Sequence, residues 1–80
     1  MAYELLSPLP GTFYRRAAPD QPPYKSAGDL VEVGEVVGLI EVMKQFSEVA
    51  SEVSGRISRF LVEDEDPVES GQPLLSIEPG

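Results

Sequence analysis

The stretch Val36-Val37-Gly38-Leu39-Ile40-Glu41-Val42-Met43-Lys44-Gln45-Phe46-Ser47-Glu48-Val49-Ala50 decides how this chain folds. Two readings compete for it. Val36, Leu39, Ile40, Met43, Phe46, Ala50 and Val53 recur at helical spacing, with Gly55 placed as a C-cap. Against a helix stand Gly38 and the β-branched residues Val36, Val37, Ile40, Val42, Val49 and Val53, which suit strands. Periodicity alone mildly prefers the helix. Residue type, together with the repeat described below, favours two strands that meet at Met43-Lys44. That tip breaks a local rule, because a tight two-residue hairpin needs positive φ and favours Asn-Gly or Gly-X. Met43-Lys44 offers neither, so something other than turn chemistry selected the pair, as is common at functional sites.

Outward from the tip, the chain has the size of one small domain. Eighty residues bury only roughly 60% of their unfolded surface, so the core must be thin. There is no cysteine and no histidine, which removes thiolate chemistry, the usual general base and the commonest metal ligand. An enzyme in its own right is therefore disfavoured, and no metal site is expected. No apolar run reaches the 18 or so residues of a membrane span, and no signal-peptide pattern opens the chain. The net charge of −8 argues against nucleic acid and anionic membranes and suits either a basic partner or simple solubility. Only two lysines, Lys25 and Lys44, are present, so any acylation has two side-chain targets.

The chain repeats itself. Asp29-Leu30-Val31-Glu32-Val33-Gly34-Glu35 aligns with Asp66-Pro67-Val68-Glu69-Ser70-Gly71-Gln72 at an offset of 37, which continues to place Val37 on Leu74, Ile40 on Ile77 and Glu41 on Glu78. Upstream, Gly11-Thr12-Phe13 resembles Gly55-Arg56-Ile57 at an offset of 44, so the first copy holds seven extra residues between Phe13 and Asp29. Pro19, Pro22 and Pro23 fall there, and prolines forbid a helix interior or central strand. Residues 15–28 therefore read as a loop or protrusion.

Strands are expected at 3–6, 12–14, 30–34, on both sides of the tip, at 56–62 with a possible bulge, and at 74–77. Glu63-Asp64-Glu65-Asp66 reads as an acidic turn closed by Pro67. It is a solvated loop on the plain reading and a docking patch for a basic partner on the other. If a pseudo-twofold axis relates the copies, the Met43-Lys44 tip lies at the pole opposite both termini. Gly11, Gly34, Gly55 and Gly71 are read as turn residues.

These residues resemble a known family. Glu41-Val42-Met43-Lys44, Glu48-Val49, Ser54-Gly55 and Pro67-Val68-Glu69-Ser70-Gly71-Gln72-Pro73-Leu74 are similar to the biotinyl domain of biotin carboxyl carrier proteins. Ser7-Pro8, Gly11-Thr12-Phe13-Tyr14-Arg15 and Pro19-Asp20 resemble its acetyl-CoA carboxylase branch. The likeness spans about residues 6–79. It implies an all-β fold: a flattened β-barrel sandwich of two four-stranded antiparallel sheets with pseudo-twofold symmetry and a thumb-like insertion. The whole of 1–80 is then one biotinyl domain, with the thumb at about 15–25.

The resemblance also implies a function. Lys44 would be the biotin attachment point, with Glu41, Val42, Met43 and Gln45 as the face read by the ligase, and the thumb able to cover the biotin ring. Carboxybiotin would shuttle between biotin carboxylase and carboxyltransferase of acetyl-CoA carboxylase, for fatty acid biosynthesis in the cytoplasm, after loading by biotin protein ligase. The domain itself would be a non-catalytic carrier. The usual motif is Ala-Met-Lys-Met; here Val42 and Gln45 replace its first and last residues, which bears on the efficiency of biotinylation. Related lipoyl domains have Asp before and Ala after the lysine, and Met43 and Gln45 match neither. The alternatives are a lipoyl carrier of a 2-oxoacid dehydrogenase complex and an unmodified β-sandwich docking module. Lys25 is the rival acylation site, but it follows two prolines and lacks a hairpin frame.

Overall fold

The computed structural model describes residues 2–80. Among them there is no helix, so the helical reading of residues 36–53 fails and the two-strand reading holds. Eight strands form: β1 (Tyr3–Leu6), β2 (Gly11–Tyr14), β3 (Leu30–Val31), β4 (Val36–Val42), β5 (Gln45–Ala50), β6 (Gly55–Phe60), β7 (Asp66–Val68) and β8 (Pro73–Pro79). They build two four-stranded sheets ordered β1-β8-β6-β3 and β5-β4-β2-β7, with every pairing antiparallel. The sandwich is flattened, with extents of 35 × 27 × 20 Å.

The repeat is present strand by strand. Each strand of the first half has its mate four strands later, so one sheet order becomes the other. Register follows: Tyr3 pairs Ile77 as Ser47 pairs Ile40, and Phe13 pairs Ile40 as Ile57 pairs Ile77. Turn hydrogen bonds repeat as well. The N–H of Gly34 donates to Ser51 O at 2.8 Å, and that of Gly71 to Ser7 O at 2.8 Å. The N–H of Gly28 donates to Ile57 O at 2.7 Å, and that of Glu65 to Phe13 O at 2.7 Å. Gly28 has φ 93° and its mate Glu65 has φ 70°, so the second half holds a side chain where the first uses glycine.

The same comparison locates the extra residues. Phe13 and Ile57 are mates at offset 44, and Gly28 and Glu65 at offset 37. The seven-residue insertion thus lies between Phe13 and Gly28, as the sequence comparison placed it. It is a loop whose base is fastened: the Tyr24 N–H donates to Arg15 O at 2.9 Å, and Arg15 Nη2 to Lys25 O at 3.2 Å.

The core is the set of inward residues that both halves contribute. Phe13, Val37, Ile40, Ile57, Leu74, Leu75 and Ile77 are fully buried. Each such side chain contributes about 1.5–3 kcal/mol on burial, a large share in a domain this small. Sheet closeness is set by small residues. A Cβ at Gly11 would come within 2.9 Å of Ile40 Cγ2 and collide with the Glu41 carbonyl. One at Gly55 would come within 2.9 Å of Ile77 Cγ2 and collide with the Glu78 carbonyl. These two are therefore packing glycines inside strands rather than turn residues. Gly34 and Gly71, with φ of 90° and 83°, are turn residues as expected.

Some boundaries differ from the sequence reading. β7 was not anticipated, because Pro67 argues against a strand; it is tolerated on a three-residue edge strand. β3 is only two residues long, since Glu32 to Glu35 form a turn closed by the Glu35 N–H donating to Glu32 O at 3.1 Å. β6 carries a bulge between Ile57 and Arg59 and stops at Phe60. β8 is longer than 74–77 at both ends.

Candidate functional site

Val42 pairs with Gln45 across a two-residue turn, so Met43 and Lys44 form the tip of the β4–β5 hairpin. Met43 has φ 52° and Lys44 φ 67°. Both central residues thus take the left-handed conformation of a type I′ turn, without the Gly or Asn that normally supplies it. Holding ordinary side chains there costs about 1–2 kcal/mol per residue. The rule violation seen in the sequence is therefore a backbone fact. Met43 is 90% exposed. Lys44 is exposed, and no hydrogen bond or ion pair among the described residues engages its Nζ.

Lys25 is the opposite case. Its Nζ donates to Leu30 O at 2.9 Å and lies 3.1 Å from Glu35 Oε2, with the side chain only 19% exposed. Glu35 is held below the usual carboxylate range, first by the Glu32 N–H that donates to it at 2.8 Å and then by Lys25. Lys25 thus serves the fold.

The other expected residues split by side. Val42 is half-buried and packs against the core, while Gln45 is exposed. Glu41 faces neither the core nor open solvent: Tyr14 Oη donates to its Oε1 at 3.0 Å. That bond pushes the Tyr14 phenol above its ordinary range. Phe46 pairs with Glu41 across the ladder, is 58% exposed, and tilts against Tyr14 with ring centroids 5.9 Å apart. Tyr14, Glu41 and Phe46 therefore brace the hairpin just below its tip.

A groove of about 320 Å³ opens beside this brace, between the hairpin and the insertion. Tyr14, Phe46, Arg16, Ala18, Pro19 and Asp64 line it. The acidic turn helps to form it. The Arg15 N–H donates to Asp64 Oδ1 at 2.7 Å, Arg16 Nε lies 3.6 Å from Asp64 Oδ2, and the Arg15 guanidinium sits 4.2 Å over the Phe60 ring. Asp64 is thus engaged inside the molecule and is not part of a free acidic patch.

Sequence reasoning did not find Tyr14 and Phe46 as site residues. The signal was available in the repeat: their mates are Ser58 and Ala2, so both are places where the copies diverge towards aromatic side chains.

The family model described as "Biotin-requiring enzyme", a biotin/lipoyl family, matches residues 3–77. The chain belongs to this family. Among curated biotin/lipoyl relatives, the chain is 42% identical over 76 residues to the biotin carboxyl carrier protein of acetyl-CoA carboxylase of Nostoc sp., covering 95% of this chain and 42% of that protein. It is 45% identical over 75 residues to the chloroplastic biotin carboxyl carrier protein of acetyl-CoA carboxylase 2 of Arabidopsis thaliana, covering 94% and 29%. It is 42% identical over 71 residues to the corresponding carrier of Pseudomonas aeruginosa, covering 89% and 46%. The chain thus spans less than half the length of these relatives. A solved structure, the Kluyveromyces lactis urea carboxylase, superposes with a TM-score of 0.78 at 32% identity, covering 98% of this chain and 6% of that one.

Proposed function

We propose that this chain is a biotin carboxyl carrier domain, spanning residues 1–80, in which Lys44 is the residue biotinylated. One observation carries the reading. Of two lysines, Lys25 is tied to Leu30 O and Glu35, whereas Lys44 stands exposed at a strained hairpin tip with its amine unengaged. Family membership and relatives named as biotin carboxyl carriers support biotin over lipoate.

The chemistry asked of the chain is limited. The amine must lose a proton as the amide forms, so a biotin protein ligase must accept that proton and supply biotin as an acyl-adenylate. Nζ attacks the acyl carbonyl, the amide forms, AMP leaves with the bond electrons, and the lysine charge is lost. Glu41, Val42, Met43 and Gln45 form the face that the ligase reads. Met43 offers an exposed apolar side chain, and the Tyr14–Glu41–Phe46 brace fixes the direction of the tip.

Bound biotin supplies the group-carrying chemistry; the chain supplies position. Residues 15–25 act as a thumb, and the groove between thumb and hairpin, apolar on Ala18, Pro19 and Phe46 and polar at Arg16, suits a small bicyclic ring with a polar edge. The partners on this reading are the biotin carboxylase and carboxyltransferase of acetyl-CoA carboxylase, in the cytoplasm, with this domain non-catalytic.

The test is intact mass after co-expression with biotin ligase. One biotin is expected on the wild-type chain and on Lys25→Arg, and none on Lys44→Arg. Biotin on Lys44→Arg at the wild-type level would overturn the assignment.

A further inference from the structure

On the flank of the sandwich, the edge strands β1 and β5 face one another without pairing. A cleft of about 320 Å³ lies between them. Leu5, Leu6, Val49 and Ala50 supply its apolar surface, Glu4, Glu48 and Glu52 its charge, and no basic residue lines it. Tyr3 Oη donates to Glu52 Oε1 at 2.8 Å, which holds one wall and leaves Glu4 and Glu48 exposed. These two are mates in the repeat, so the cleft straddles the pseudo-twofold relation and carries a carboxylate on each side.

The β5 edge is open for backbone pairing. A two-residue turn makes Val42 and Gln45 a hydrogen-bonded pair, and pairs alternate along an antiparallel ladder. Phe46 and Glu48 therefore point their N–H and C=O away from β4, towards the free side. Native edge strands of this kind are templates for another strand. A second copy of this chain is a poor occupant, because each copy carries −8 and edge-to-edge pairing would bring glutamates together.

From the open edge, the apolar floor and the all-acidic rim, we infer that this cleft is a docking groove for an extended partner segment that alternates basic and apolar residues and adds to β5 as a strand. Strand addition gives backbone affinity and lets alternate side chains read the surface. Glu48 lies four residues from Lys44, about 13 Å along the strand. A partner held here would grip the flank and leave the tip free.

The test uses the unmodified 80-residue chain, so it is independent of biotinylation. The probe is a labelled octapeptide alternating lysine and valine, followed by anisotropy and by amide shifts in NMR; the matched glutamate–valine peptide is the control. Binding of the basic peptide alone is expected, with shifts confined to residues 3–6 and 45–52, weakening at least tenfold in Glu48→Lys. Glu48→Pro, which removes the outward N–H together with the carboxylate, should weaken it at least as much if a strand is added. Absence of binding at millimolar peptide, shifts centred on the hairpin tip or on residues 63–66, unaltered affinity in both Glu48 variants, or a self-associated chain in sedimentation with the β5 edge protected would each overturn the inference.

Discussion

Tyr14 and Glu41, 27 residues apart in sequence, are joined by a 3.0 Å hydrogen bond on the outer face of β2 and β4, two positions short of the Met43-Lys44 turn. The phenol donates and the carboxylate accepts. Because the bond raises the Tyr14 pKa, the stabilisation it brings is fully present below the ordinary tyrosine range near 10 and is lost as pH rises through the higher folded value. Glu41→Gln removes the charge and should return Tyr14 to an earlier titration. Ultraviolet difference titration, with Tyr14→Phe used to assign the signal, would measure this. In the same Tyr14→Phe variant the fold should persist while the tip gains motion, seen as lowered order parameters at residues 42–46 and as slower biotin transfer.

The tip conformation sets stability against use. Replacing Met43 and Lys44 by Asn and Gly supplies residues that adopt positive φ without strain. Relief at two positions, less the roughly 0.5–1 kcal/mol of backbone entropy that glycine adds, should make the double variant more stable by about 1–3 kcal/mol, raising Tm by about 4–8 °C for each kcal/mol in a domain of this size. It should accept no biotin. A denaturant series with mass analysis checks both halves; an unchanged or lower stability would mean that the turn is not strained.

Gly11 and Gly55 make equivalent close approaches in the two halves. Gly11→Ala and Gly55→Ala should each destabilise by about 1–3 kcal/mol through overpacking, and by similar amounts. Gly11→Ala should in addition slow biotinylation, since its Cβ presses on the Glu41 carbonyl and on Val42, 3.0 Å away. Gly55→Ala, whose neighbours are Glu78 and Ile77, should leave the biotinylation rate unchanged.

Glu35 gives the acid limb of stability. Its carboxyl is held low by the Glu32 N–H and by Lys25, so its contribution is present above the ordinary value of 4.5 and fades as pH falls through the lower folded value. Glu35→Gln keeps an acceptor for the N–H, as its mate Gln72 does for Glu69 at 2.9 Å, and loses the pairing with Lys25. The variant should be less stable than wild type near neutrality, with the gap closing as pH falls below 4.5 and through the lower folded value. Thermal melts across that range measure it.

What could be read from the sequence was whatever repeats or breaks a local rule. The offset of 37 against 44 placed the insertion, and Met-Lys where Asn-Gly belongs marked the tip. β7 escaped because its proline forbids a central strand, and only the sheet order shows that it is an edge. Gly11 and Gly55 looked like turns because a close backbone approach leaves no local pattern. The Tyr14–Glu41 bond and the engagement of Asp64 depend on cross-strand register, which neighbouring residues do not encode.

The seven additional residues occur in one half only. A body whose halves are interchangeable would present any visitor with two indistinguishable poles, and orientation would be left to chance encounter. On the proposed carrier function, the insertion would serve as a landmark, marking for an approaching ligase the pole that bears Lys44.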